Sequence, residues 1–423
     1  MDRYGFVRVK QQRPLRIGLI ASSRFPIAQP FVGGLEAHIW ALARTLTRRG
    51  HRVTLFAAEG SDPSVADRLV RFSNLGAGDH VRRDLSEDRE LVEAENVAYR
   101  RVMSRLITDG GARLDVLHNH SVHPSPLAAV GRLGVPMIST FHTPPLGRLA
   151  KVLSRGGGGE LCLVAVSRHA AQSWSSVAGE VHVVHNGVDT VEWPAGPGGR
   201  RAVWFGRLVP EKGAELAIDA ARLAGRALDL AGPVVDAAYF RTEIEPRLGP
   251  DVRYLGHLEH GALARVVGRS AVALVTPRWD EPYGLVVAEA LACGTPVAAF
   301  ARGGIPEIVD ASCGRLAPAD DVATLAEAVR SAAGLDRRDV RRHAEENCSM
   351  TRMVNAYEEI YRSHVRDRLL TRPHALTVAR HIHDHGSRLG HETLHRHGHD
   401  SAVRRVHEAA APTHGVGLSI GYP

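Results

Sequence analysis

Two carboxylates with seven residues between them, Glu281 and Glu289, bracket the opening of a helix in the segment Trp279-Asp-Glu-Pro-Tyr-Gly-Leu-Val-Val-Ala-Glu-Ala-Leu-Ala-Cys-Gly294-Thr-Pro296. Glu281 lies ahead of the helix and Glu289 a turn or two inside it. The unpaired amides near Tyr283, Gly284, Leu285 and Val286 point out of the same helix end, where they can meet an anionic ligand. Carboxylates beside such a ligand can accept hydrogen bonds from sugar hydroxyls. Either Glu alone reads as a helix-terminus acid or a solvated one. A second constellation gives the pair meaning: in Phe205-Gly206-Arg207-Leu-Val-Pro-Glu-Lys212-Gly213, an apolar run ends in glycine and two cations follow. An Arg fork and a Lys point charge on one loop suit a diphosphate. Lys is found only at Lys10, Lys151 and Lys212 in a chain whose other cations are Arg, which singles out Lys212. The third group is Gly33-Gly34, where missing side chains let backbone amides approach a phosphate or a sugar. His120 and His142 each stand just beyond the end of an apolar run; singly, each reads equally as a satisfied structural histidine.

The elements that must hold these residues are short apolar runs alternating with helical periods. Leu15–Ala21, Arg52–Phe56, Asp115–His118, Val135–Thr140, Leu161–Val166 and Val181–Val184 read as strands of a first half. Ala202–Phe205, Leu228–Ala231, Val252–Leu255, Ala271–Val275, Pro296–Phe300 and Gly314–Leu316 read as strands of a second. Leu35, Ile39, Leu42 and Leu46 fall on one helical face, and Ala214–Leu223 and Leu285–Ala292 are further helices. This alternation predicts α/β architecture: two doubly wound parallel-sheet domains facing a cleft at the carboxyl ends of their strands. The expected division is a leader over 1–14, a first domain over 15–190, a Pro/Gly-rich linker over 191–200 and a second domain over 201–349. A helix over 350–365 follows, and then a tail over 366–423 with ten His and no apolar period, for which disorder is the default. The His spacing in that tail matches no closed metal site.

The 423 residues carry 53 Lys+Arg against 46 Asp+Glu, a net charge of +7, with 44% hydrophobic residues. Such a balance excludes a wholly disordered, collagen-like or disulfide-built chain. Cys162, Cys293, Cys313 and Cys348 lack any paired spacing, which suits reduced thiols in the cytosol. No apolar window is long enough for export or for a membrane span. The Arg pairs are dispersed and lack interleaved aromatics, so a nucleic-acid partner is not expected.

Taken in order, these motifs resemble the retaining GT-B glycosyltransferases of glycosyltransferase family 4. The resemblance rests on Gly33-Gly-Leu-Glu36, Val184-His-Asn-Gly-Val-Asp189, Gly206-Arg-Leu-Val-Pro-Glu-Lys-Gly213 and the Glu281 to Glu289 signature, and spans roughly 15–365. It implies two Rossmann-like domains and sugar transfer from a nucleoside-diphosphate sugar to the hydroxyl of a sugar, lipid-linked or small-molecule acceptor. Glu281 would contact the transferred sugar and Glu289 the ribose. Arg207 and Lys212 would hold the diphosphate, and Gly33-Gly34 would pack against sugar-phosphate or acceptor. His120 would stand near the donor sugar with His142 as companion, while Gly256, His257 and Leu258 would border the base. The absence of any Asp-x-Asp pair fits transfer without a metal or other cofactor. A cytoplasmic enzyme is expected, peripheral to a membrane if its acceptor is a lipid. A nucleotide-sugar 2-epimerase-like enzyme and a non-catalytic nucleotide-sugar binding protein are the alternatives on the same fold. A phosphorylase is disfavoured, because no Lys is placed to carry pyridoxal phosphate.

Overall fold

A computed structural model of the chain describes residues 13–72, 89–109, 113–155 and 160–371. The leader up to residue 12, the glycine run at 156–159 and the His-rich residues from 372 onward lie outside the described residues. Two fully parallel sheets carry the fold. The first contains β1 (Arg16–Ile20), β2 (Arg52–Ala57), β3 (Arg68–Arg71), β4 (Val116–Asn119), β5 (Met137–Phe141), β6 (Leu161–Ala165) and β7 (His182–Val183). Their order is β3-β2-β1-β4-β5-β6-β7. The second contains β8 (Ala202–Phe205), β9 (Leu228–Ala231), β10 (Val252–Tyr254), β11 (Val272–Val275), β12 (Val297–Phe300) and β13 (Gly314–Ala317), in the order β10-β9-β8-β11-β12-β13.

In each sheet the order reverses beside the first strand, between β1 and β4 and between β8 and β11. Loops leaving those strands diverge to opposite faces and open a crevice, the usual ligand position in such sheets. β4, β5, β8, β11 and β12 are buried along their whole length. Parallel strands covered by helices on both faces need continuous apolar runs, which is why these segments were readable from sequence. β3 is the exception: an edge strand with Leu69 and Val70 between exposed Arg68 and Arg71, it has no apolar run of its own.

The Gly34–Arg48 helix buries Ile39, Leu42 and Leu46 against Ile17, Leu19, Val53 and Leu55. Truncating Leu42 to Ala would cost about 2–5 kcal/mol. The last helix, Met350–Thr371, packs Met353, Val354, Tyr357 and Tyr361 into this same first-half core. Its Tyr361 hydroxyl lies 2.5 Å from His118 Nδ1, and its Tyr357 hydroxyl 3.2 Å from Thr140 Oγ1. This helix runs six residues past the end expected at 365. Val365 still packs on the core, and no Gly or Pro intervenes before Pro373.

Candidate functional site

Between the two domains lies a cleft of about 580 Å³ whose lining comes from both. Gly33, Gly34, His142, Arg207, Lys212, His257, Leu258, Glu281, Tyr283, Gly284, Leu285, Val286 and Glu289 all line it. His120 and Gly256 do not. His120 is fully buried behind His142, and Gly256, at φ +82°, turns the chain out of β10 while its carbonyl accepts the Gly232 N–H at 2.9 Å.

The wall built from the second domain is charged and internally paired. The loop after β8 returns to Lys212 and Gly213, which takes φ +63°; a Cβ there would stand 2.2 Å from the Thr276 carbonyl oxygen. Only glycine lets this loop close onto the end of β11. Thr276 Oγ1 secures the contact by donating to the Gly213 carbonyl at 2.7 Å and accepting from Trp204 Nε1 at 3.1 Å. Lys212 Nζ thereby reaches Glu281 Oε2 at 2.6 Å, over the Trp279 ring at 5.2 Å from its centroid. Trp279 Nε1 donates to the same carboxylate oxygen at 3.0 Å. The Glu281 backbone is held from behind, because its carbonyl accepts the Gly304 N–H at 2.7 Å. Gly303, at φ +59°, would drive a Cβ to 2.1 Å from that carbonyl oxygen. This is the role the structure gives to Gly303-Gly304. Arg207 is partly exposed and pairs loosely with Glu211 at 3.6 Å, so its guanidinium is available to a ligand.

Gly284, in the left-handed region, turns the chain into the Leu285–Ala292 helix, whose first amides face the cleft. Inside this helix the Glu289 side chain makes no hydrogen bond or ion pair among the described residues, and burial pushes its carboxyl up to about 8. In its protonated form this carboxyl can both donate and accept hydrogen bonds.

The wall built from the first domain carries buried imidazoles beside the charged side chains Arg24, Glu36 and Asp189. His120 follows β4, His142 follows β5, and His120 Nδ1 lies 3.0 Å from His142 Nε2. Burial holds both imidazoles well below the ordinary histidine range, with neighbouring histidines adding to the effect. Glu36, in the first turn after Gly33-Gly34, is buried; desolvation raises it, against its own backbone N–H and Arg207 across the cleft. Gly34 approaches the opposite wall closely, since a Cβ there would lie 3.0 Å from Leu285 Cδ1.

Sequence reasoning missed several residues here. His38 lies between Leu35 and Leu42 on the apolar stripe of its helix, an unusual place for a polar ring and the available signal. Asn186 lines the cleft with a buried Oδ1 that has no partner among the described residues. Glu307 fastens the domains together. It accepts the Arg168 and His169 amides at 2.9 and 2.8 Å at the start of the Arg168–Ala178 helix, and lies 2.9 Å from His185 Nε2. Burial opposes its charge, but these donors hold its carboxyl below the usual carboxylate range.

Comparison with known proteins agrees with this geometry. The family profile described as Glycosyltransferase Family 4 matches residues 32–192, and that described as Glycosyl transferases group 1 matches residues 192–348. Glycogen synthase of Mycobacterium tuberculosis is 29% identical over 343 residues, covering 71% of this chain and 82% of the relative. D-inositol 3-phosphate glycosyltransferase of Mycobacterium bovis is 28% identical over 366 residues, covering 75% of each. Among solved structures, AviGT4, a glycosyltransferase of avilamycin A biosynthesis, superposes with a TM-score of 0.60 at 24% identity over 83% of this chain and 98% of its own. Anabaena HepE in complex with UDP-glucose does so with a TM-score of 0.65 at 17% identity over 82% and 100%. With two adjoining family profiles matched end to end from residue 32 to 348 and two Rossmann-like domains around one cleft, the chain belongs to the GT-B glycosyltransferases of family 4, the group 1 glycosyl transferases.

Proposed function

We propose that this enzyme transfers a hexose-like sugar from a nucleoside diphosphate to an acceptor hydroxyl with retention of anomeric configuration, and needs no metal to do so. The observation that carries the reading is the Lys212–Glu281 pair at 2.6 Å, beside Arg207 and the first amides of the Leu285–Ala292 helix. The departing group in such a transfer is a diphosphate. Charge growing on it needs preorganised donors, and two cations plus helix-terminal amides supply them without an ion. HepE, on the same fold, is solved with UDP-glucose, which supports a nucleotide-sugar donor.

Donor binding is an exchange of partners. Lys212 turns from Glu281 to the diphosphate, and Glu281, kept in place by Trp279 and Gly304, is freed to accept a hydroxyl of the transferred sugar. Neutral Glu289 pairs with the ribose diol, donating one hydrogen bond and accepting another. His142 borders the sugar from the opposite wall, with His120 buried behind it. The acceptor attacks on the face the diphosphate leaves, and its proton passes to the departing phosphate oxygen, so no side-chain base is required. No helix among the described residues is long and apolar enough to cross a membrane, and the acceptor is a hydroxyl compound entering from the first-domain side.

The test is the anomeric configuration of the first-formed product, read by NMR with the enzyme dialysed against EDTA. Retention at full rate supports the reading. Inversion, or loss of turnover restored by a divalent ion, refutes it.

A further inference from the structure

Besides the diphosphate cradle, the described residues hold two clusters of metal-ligating side chains: Asp310, Cys313 and His343, and His38, His120 and His142. In the first cluster the donors are already engaged. His343 Nδ1 faces Asp310 at 3.3 Å, its Nε2 bonds the Ile308 carbonyl at 2.8 Å, and Cys313 Sγ rests on the Ile308 and Asp310 carbonyls.

The second cluster is short of partners. Both ring nitrogens of His38 and Nε2 of His120 are buried without a hydrogen-bond partner among the described residues. Each such atom has lost its water and gained nothing in return unless something meets it. An aliphatic side chain at position 38 would pack between Leu35 and Leu42 without that cost, so an imidazole there calls for an occupant. One donor atom from each of the three rings lies within 4.8 Å of the others. His120 Nδ1 and His142 Nε2 share a hydrogen bond at 3.0 Å, which an ion would replace; this spacing is close to that of about 3.3 Å between two ligands on a tetrahedral ion bound at about 2.0–2.1 Å.

We propose that His38, His120 and His142 form a binding site for a borderline divalent transition ion of the Zn²⁺ type, with its fourth coordination position open to the cleft. Three imidazoles without carboxylate or thiolate suit Zn²⁺, Co²⁺, Ni²⁺ or Cu²⁺ and not Mg²⁺ or Ca²⁺, which require oxygen ligands. His38 and His142 line the cleft, which directs the open position toward the space between the walls. The ion has no part in the transfer proposed above. Resting on that reading, its effect is inhibition: it takes a place on the wall that borders the donor sugar.

The experiment uses the full chain with Co²⁺ as probe, and compares the wild type with His38→Gln and His142→Gln. These variants lie on different elements, and a thermal unfolding curve for each checks that it folds. The wild type is expected to show the visible absorption of one four- or five-coordinate Co²⁺, displaced by Zn²⁺. Each variant is expected to lose that absorption, with ion affinity lower by ~100-fold, the upper end of what a ligand's supporting contacts alone contribute. The His-rich residues after 371 give the same background in all three proteins, so the difference spectrum isolates the cluster. Identical spectra in wild type and both variants, or no absorption in any, overturn the proposal. Micromolar-range Zn²⁺ should also slow transfer by the wild type at least tenfold more than by His38→Gln. A Co²⁺ signal that obeys the variants in a protein with no transferase activity would leave the ion site standing and bring down the functional reading instead.

Discussion

The two walls of the cleft solve different problems. On the second-domain wall Lys212, Glu281 and Trp279 form a closed set of charge-assisted contacts, with a second cation, Arg207, beside it. On the first-domain wall a group of buried imidazoles stands beside Arg24, Glu36 and Asp189, and several of the imidazole nitrogens have no partner among the described residues. A desolvated charge must be paired before the ligand arrives, whereas a neutral donor or acceptor can wait at lower cost. Under the proposed function, the paired charges of the second-domain wall suit a diphosphate and the imidazoles of the first-domain wall suit sugar hydroxyls. Glu289 differs from the charged pair on the same wall, because burial raises its carboxyl toward the protonated form.

Substitutions that strike each wall sharpen this contrast. The largest effect is expected from Lys212→Ala, which removes a cation from the departing phosphate. Turnover should fall by ~10²–10³-fold, measured as the initial rate at saturating donor. Arginine at 212 should restore only part of it, since a fork does not reproduce the point charge over Trp279. Glu289→Ala should lose about 100-fold in donor affinity or turnover, and Glu289→Gln should retain most of the activity because the neutral group is the binding form.

Glu289 also has a pH signature. The folded protein holds its proton to about 8, whereas the unfolded chain releases it near the ordinary carboxylate value of 4.5. Unfolding therefore releases a proton between those pH values, and stability falls as pH rises through that window. Glu289→Gln should flatten this slope, which unfolding midpoints at pH 5 to 8 in steps will show as a change of about one proton.

Glu307→Gln probes the join between the walls rather than either wall. It removes the charge from a carboxylate that accepts two helix amides and faces His185, and should destabilise the protein by about 1–3 kcal/mol, read from the denaturant midpoint. The smallest effect belongs to Trp279→Phe, which keeps a ring under Lys212 and deletes only the N–H bonded to Glu281. A loss of about tenfold in turnover is expected from one hydrogen bond to a charged carboxylate, about 1.5 kcal/mol at the low end for such a bond.

Legibility in the sequence followed locality. Strands buried on both faces are continuous apolar runs, so β4, β8, β11 and β12 announce themselves, whereas the exposed edge strand β3 does not. Gly206 to Gly213 and Glu281 to Glu289 each carry their chemistry within one short stretch, and the structure brings both stretches to the same cleft. Glu307 could not be found this way, because its partners Arg168, His169 and His185 come from the other domain, more than a hundred residues away. The direct contact of Lys212 with Glu281 was equally hidden, since spacing shows that two charged loops exist but not that they meet. His38 left a trace only as a polar residue on an apolar helical stripe.

The most direct measurement is a thermal-shift panel of UDP-, GDP-, ADP- and dTDP-sugars on the wild type and Lys212→Ala. A ligand that binds only the folded state raises its apparent stability by mass action. The expected result is a stabilising shift with donors of one base, lost in Lys212→Ala. Equal shifts in both proteins, or none with any donor, would contradict the assignment of the Lys212–Glu281 wall to the diphosphate of a nucleotide sugar.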